Sequence, residues 1–450
     1  MGNDAPSRKV ALARNAAPSR SIAPSRSTAP SRRAALAALL SAALVTGCSG
    51  GARSVASGGT ATLRYFFWGE ISRAELINQC IDVFERGHPK IRIKASFVGF
   101  DPYLQKVTTA LAGGNPPDVL HVDYAWLRTF AHHDLLADLG EVSGPGKEID
   151  VGTVVPALRT AGLIEDRRVG LPLSRNSIGL MYDAGLYAKA GAAPPDLNTS
   201  WDAFVEETAK IRKFTKGAQA GVDNPGQNYM GVEMWMMQHG RTAWTESGQL
   251  GYTPDDLREY LTFIERWRET GGIASAREIL ESKPNGPVTL RRAAAVFEWD
   301  NQIGSRSEVR GTPLKLTTPP TDTGRSGLYA KPGMLISAAA ATPYLSEAAQ
   351  FINFMINDRR VAQILGTNIG MAPTTSQQGV ASMDDPFVRL TSGYEKRIED
   401  VAAPTPPAPG IGGNTLNVRL ERIAEKVGYG ALSVDEAVEQ YFDQVKFAAS

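Results

Sequence analysis

Two doubly wound α/β lobes are what this sequence predicts, and three observations predict them. Strand-like and helix-like periodicities alternate from Ala61 to Val122. The part of the chain able to fold, about 400 residues, exceeds what one ordinary core accommodates. The segments that follow each strand carry Gly, acidic and aromatic residues, the composition expected where ligands collect beyond the carboxyl ends of strands.

The elements follow in order. Ala61 to Trp68 reads as a strand rich in aromatic and β-branched residues. Ser72 to Arg86 places Leu76, Ile77, Cys80, Ile81 and Phe84 at helical spacing. Ile91 to Val98 alternates as a second strand, and Pro102 to Ala112 is a helix ended by Gly113-Gly114. Asp118 to Val122 is a third, buried strand. This β-α-β-α-β order with right-handed crossovers implies a doubly wound sheet. Its strand-end loops are Gly69-Glu70, Gly99-Phe100-Asp101 and Asp123-Tyr124-Ala125-Trp126.

Ahead of the fold lies an export signal. Arg32-Arg33 precede an apolar run, Ala34 to Val45, which is too short for the roughly 20 residues of a membrane-spanning helix. Val45-Thr46-Gly47-Cys48 resembles a bacterial lipobox, with Cys48 as the site of lipidation. Two or three acyl chains at roughly 0.8 kcal/mol per buried methylene would hold a domain at a membrane surface. Upstream, Ala-Pro-Ser-Arg recurs at Ala5, Ala17, Ala23 and Ala29, too poor in apolar surface to fold. Residues 1–47 are therefore read as a cleaved signal with a basic leader, and 48–58, rich in Gly, Ser and Ala, as a flexible tether. Arg32-Arg33 suits either the general secretory or the twin-arginine route.

The whole chain carries a formal net charge of +1. Losing the basic leader leaves a mildly acidic domain without a block of basic residues, which offers nucleic acid no electrostatic footprint. Once Cys48 is acylated, Cys80 is the only other thiol, so no internal disulfide can form. Cys80 reads as a small buried residue of its helix.

Several blocks carry a family resemblance by their order and spacing. They are Leu63-Arg64-Tyr65-Phe66-Phe67-Trp68-Gly69, then the run from Ala110 to Val119 containing Gly113-Gly114-Asn115-Pro116-Pro117-Asp118, then Leu171 to Ser177 and Met181-Tyr182-Asp183. Ala294 to Asn301, Lys331-Pro332-Gly333-Met334, Ala348 to Met355 and Gly370-Met371-Ala372-Pro373 complete the set. Together they resemble family 1 extracellular solute-binding proteins of ABC importers, mostly carriers of sugars. The resemblance implies a periplasmic-binding-protein-like bilobed fold, closing on solute by a hinge. Lobe one is expected at 59–175 with 323–365, and lobe two at 176–322 with 366–450. It further implies a monomer without cofactor or metal, working with ABC permease subunits on the outer face of the cytoplasmic membrane.

A sugar ring needs an aromatic face for its apolar side and planar polar groups for its hydroxyls. Trp68 with Glu70, Asp101, and Asp123-Tyr124 with Trp126 supply both in lobe one. Asn176, Trp235, Trp244, and Trp299 with Asp300 are the candidates further along. Trp126 could equally face the core, and Asp101 could instead cap the helix begun by Pro102. Trp201 and Trp267 sit in helical contexts that favour packing, as does the methionine-rich stretch Met230 to Met237. Lys331 and Arg175 could meet an anionic sugar or pocket carboxylates, and the sequence does not decide between them.

The rival readings are a secreted glycoside hydrolase using two of Glu233, Glu246 and Glu298, and a carrier of this fold for a non-sugar solute such as ferric ion. No motif sets two acids at a fixed separation, no His-Glu-x-x-His or phosphate loop occurs, and Gly-x-Ser-x-Gly spacing falls only at Gly47-Cys48-Ser49-Gly50-Gly51, around the lipobox cysteine and not between a strand and a helix. The five histidines lack metal-ligand spacing, and no Tyr-Tyr pair is present. The expectation is a non-catalytic, lipid-anchored receptor for a mono- or oligosaccharide.

Overall fold

The computed structural model describes residues 59–380 and 384–449, without the side chains of Asp101, Ala448 and Ala449. The signal segment, Cys48 and nearly all of the tether lie outside the described residues.

The first sheet has the order Ile91–Val98, Ala61–Trp68, Val119–Val122, Lys331–Ala338, Leu171–Asn176. Its first three strands are parallel, as the β-α-β-α-β pattern predicts, and the last two run antiparallel to their neighbours. The helix Ile71–Gly87 buries Ala74, Ile77, Cys80, Ile81 and Phe84, a stripe at helical spacing that lies against this sheet's core. The next helix, Phe100–Ala112, begins two residues earlier than its Pro102 suggests, with Gly99 rather than Asp101 at the N-cap.

The second sheet, Ala295–Trp299, Ile178–Tyr182, Lys315–Thr317, is antiparallel throughout. The bilobed α/β class holds, but here neighbouring strands come from distant parts of the chain instead of from successive crossovers. A separate core, made mostly of residues between Ile178 and Leu328 and between Tyr394 and Tyr441, covers this sheet. Trp201 and Trp267 are both buried in it, with the Trp267 indole N–H donating to Thr208 Oγ1 at 2.9 Å. Met230, Met234 and Met236 are buried there too. Leu328 packs in this second core, while Ile369 and Ala408 pack in the first.

Ser177 alone separates the last strand of the first sheet, Leu171–Asn176, from the middle strand of the second, Ile178–Tyr182. This single residue is where the chain first crosses between the two sheets, and it returns between Lys315–Thr317 and Lys331–Ala338. The crossing is braced by Arg175 and Met371, which exchange backbone hydrogen bonds at 2.8 Å in both directions.

The helix Pro254–Glu269 owes its start to local chemistry. Thr253 and Asp256 cap each other's backbone amides, and Pro254 occupies the first turn, where its missing N–H costs nothing. Thr253→Ala is expected to lower stability by about 1 kcal/mol. A urea melt with an unchanged midpoint would show that the cap is redundant.

Candidate functional site

The crossing at Ser177 explains how two distant side chains meet. Asn176, just before it, pairs with Lys331 in the first sheet, and Ile178, just after it, pairs with Trp299 in the second. Lys331 and Trp299 are thus brought together, and the Lys331 ammonium sits over the Trp299 ring, 4.8 Å from its centroid.

Lys331 also lines a cleft between the two cores, about 580 Å³ when the open space at its mouth is included. The first core contributes Tyr124 and Ala125 from the loop after Val119–Val122. The second contributes Tyr229 and Glu233 from the helix Tyr229–Gln238, together with Trp244 and Tyr252. Tyr329, Pro406 and Asn417 close it. The Tyr124 hydroxyl donates to the Pro406 carbonyl at 2.9 Å, and Arg128 donates to the Glu246 carbonyl at 2.8 Å, so contacts reach across the cleft.

Two acids supply the cavity's electrostatics. The buried Glu233 accepts the Tyr329 hydroxyl at 2.8 Å. Its pKa is raised by burial, which the Tyr329 hydrogen bond and Lys331 only partly offset. Asp123 Oδ1 accepts the Ala125 amide at 2.9 Å, which fixes the turn after the third strand. Burial works against a charge on Lys331, yet Tyr229, Asp123 and Glu233 together hold its pKa above the ordinary lysine value. Burial pushes the Tyr229 phenol up to about 12, so at neutral pH it is uncharged. The field at Lys331 is therefore that of the two acidic groups.

Among the sequence candidates, Tyr124, Trp244 and Lys331 line the cavity, and Trp299 and Asp123 stand beside Lys331. Others do not. Trp68, only 6% exposed, is buried among aromatic rings, 5.1 Å from Tyr103 and 5.8 Å from Trp126, so it packs in the first core. Trp126 is core as well. Glu70 is exposed at the start of the helix Ile71–Gly87. Trp235 stacks on His239 at 4.3 Å and on Phe263 at 4.8 Å inside the second core. Asn176 is buried in the crossing strand, close against Gly333 and Gly370. The side chain of Asp101 lies outside the described residues.

Asp300 is fully buried away from the cavity, where its Oδ1 accepts the Ser177 amide at 3.3 Å. Burial first, and the neighbouring Glu395 carboxyl next, push its pKa well above the carboxylate range. Glu395 is in turn 3.4 Å from Arg175, which settles the sequence alternative for that arginine in favour of a protein carboxylate. Of the three acids considered for hydrolysis, only Glu233 lines the cavity. Glu246 is exposed, and Glu298 pairs with Arg306 at 2.9 Å.

Sequence reasoning missed Tyr229, Tyr329, Pro406 and Asn417, and it weighed Glu233 only as a catalytic acid. A lone carboxyl in the otherwise apolar stretch Met230 to Met237 was the available signal for Glu233, because a helix buried on every side does not carry an acid for packing.

A family model described as bacterial extracellular solute-binding protein matches residues 58–360. Among solved structures, an extracellular solute-binding protein family 1 from Alicyclobacillus acidocaldarius is 26% identical, covering 87% of this chain and 98% of its own, with a TM-score of 0.67. An oligogalacturonide-binding protein from Yersinia enterocolitica, solved with saturated digalacturonic acid, is 21% identical over 87% of this chain and 100% of its own, with a TM-score of 0.74. A curated binding protein of Brucella abortus (strain 2308) is 26% identical over 151 residues, 34% of this chain and 34% of that protein. The chain thus spans about a third of the length of the curated relatives it matches.

Proposed function

Because the chain belongs to the bacterial extracellular solute-binding proteins, a family of binding proteins and not of enzymes, we propose that it captures a carbohydrate between its lobes and hands it to an ABC permease. The cavity supports this reading most directly. Tyr124, Tyr229, Trp244 and Tyr252 offer aromatic walls, and Lys331, Glu233 and Asp123 gather a few polar groups beside them. That combination of apolar faces and sparse convergent polar groups suits a ring with one apolar side and an edge of hydroxyls. Solute contact is assigned to Asp123, Tyr124, Glu233, Trp299 and Lys331. Anchoring at the outer membrane surface through a lipid on Cys48 belongs to the same reading and rests on the Val45-Thr46-Gly47-Cys48 string.

Binding would act by preference for the closed arrangement, shifting the population of lobe positions by the difference in affinity between them. A thermal-shift screen of the purified protein against mono- and disaccharides, sugar acids, polyols and small peptides tests the carbohydrate assignment. Ligand at a hundred times its dissociation constant is expected to stabilise the fold by roughly 2.7 kcal/mol. A response to peptides or other non-sugars with silence from every sugar would overturn the assignment and leave the carrier fold intact.

A further inference from the structure

Resting on the carbohydrate reading of the cavity, we propose that Lys331 and Glu233 select a solute that is uncharged and hydroxylated where it meets them, with Trp299 as the residue that positions Lys331. The hydrogen-bond inventory argues for this first. Among the described residues Lys331 has no ion pair and no hydrogen bond from its ammonium, which is held instead over the Trp299 ring. Its N–H donors are left for the solute. Glu233 and Asp123 each have a documented donor, the Tyr329 hydroxyl and the Ala125 amide, and retain acceptor capacity besides. Donors and acceptors are thus offered side by side. A hydroxyl satisfies both kinds, whereas a carboxylate only accepts and an ammonium only donates.

The charge count argues the same way. Glu233 lines the cavity with Lys331, Asp123 acts on the same lysine from beside it, and no Arg or His is among the lining residues. An anionic solute would add a third negative group against a single positive one. A cationic solute meets the opposite obstacle, since the Lys331 ammonium already stands between the acids and the ring.

Titration calorimetry of the full chain at pH 7 tests this with glucose, galactose and mannose, each beside its uronic acid and its 2-amino form. The neutral sugar that binds is expected to do so at least about tenfold more tightly than either charged relative. Equal or tighter binding of the uronate or the amine would overturn the proposal while leaving carbohydrate capture standing. Binding of none of the nine compounds, together with silence from every sugar in the thermal-shift screen, would remove the carbohydrate reading and this inference with it. Glu233→Gln is expected to narrow the gap between neutral sugar and uronate, and an unchanged ratio counts against the assigned role. Trp299→Phe should keep the ratio and Trp299→Leu should lose it. A ring that merely packs would change affinity for all three forms alike.

Discussion

Trp299→Ala is expected to weaken solute binding by about 2 to 3 kcal/mol, near a hundredfold. The ring has two tasks that the substitution removes together. One side packs against the second core, and the ring also carries the ammonium of Lys331 at 4.8 Å. Without it, Lys331 loses a cation–π contact that is worth up to about 2 kcal/mol when desolvated. The ammonium is then free to swing toward Asp123 and Glu233, which occupies the acceptors the solute needs. Trp299→Phe retains an aromatic face and should recover most of the affinity. Titration calorimetry decides the matter, with the melting temperature of each variant as a control for folding. Undiminished affinity in the alanine variant would remove Trp299 from the site.

Asp300→Asn is expected to stabilise the protein at alkaline pH and to have little effect in acid. Asp300 and Glu395 are buried against each other, and among the described residues the ion pair they make is that of Glu395 with Arg175 at 3.4 Å. Burial and then Glu395 raise the pKa of Asp300, so the folded protein keeps a proton there. In the unfolded chain the same carboxyl releases its proton near the usual aspartate value of about 3.9. Between that value and the raised folded one, the native state binds more protons than the unfolded state, and stability falls as pH rises. An asparagine amide supplies a donor to Glu395 that does not titrate. Urea melts at pH 5 and pH 8 should show a variant more stable than the parent by about 1 to 3 kcal/mol at the higher pH. A difference independent of pH would mean that Asp300 is ionised throughout.

The first half of the fold was readable because each of its elements declares its period within a short window. Ile71–Gly87 and Ile91–Val98 are clear cases. The second sheet was not readable as antiparallel, because its pairs, such as Tyr182 with Ala295, join residues whose proximity no local pattern records. The site divides along the same line. Asp123 and Tyr124 follow a recognisable strand, and Lys331 opens one. Trp68 and Trp235 were misread because an aromatic next to a turn or a polar residue looks the same whether it faces a cleft or a core. Their neighbours decide, and those come from other elements. Asp300 adjoins Trp299 in sequence, but the chain turns there into a short 3-10 helix, which sends the acid to the crossing and leaves the indole under the Lys331 ammonium.

Lys331 stands opposite Asn176, one residue from the point where the backbone passes between the sheets. In a pair of jaws this is the place beside the fulcrum, where rotation produces the least travel. On the proposed reading, a solute held there by Lys331 would keep that grip nearly unchanged while the rims, far along the lever, swing apart. On the same reading, unloading would reach Lys331 last, so a substitution at Lys331 should be felt mainly in how long the solute stays.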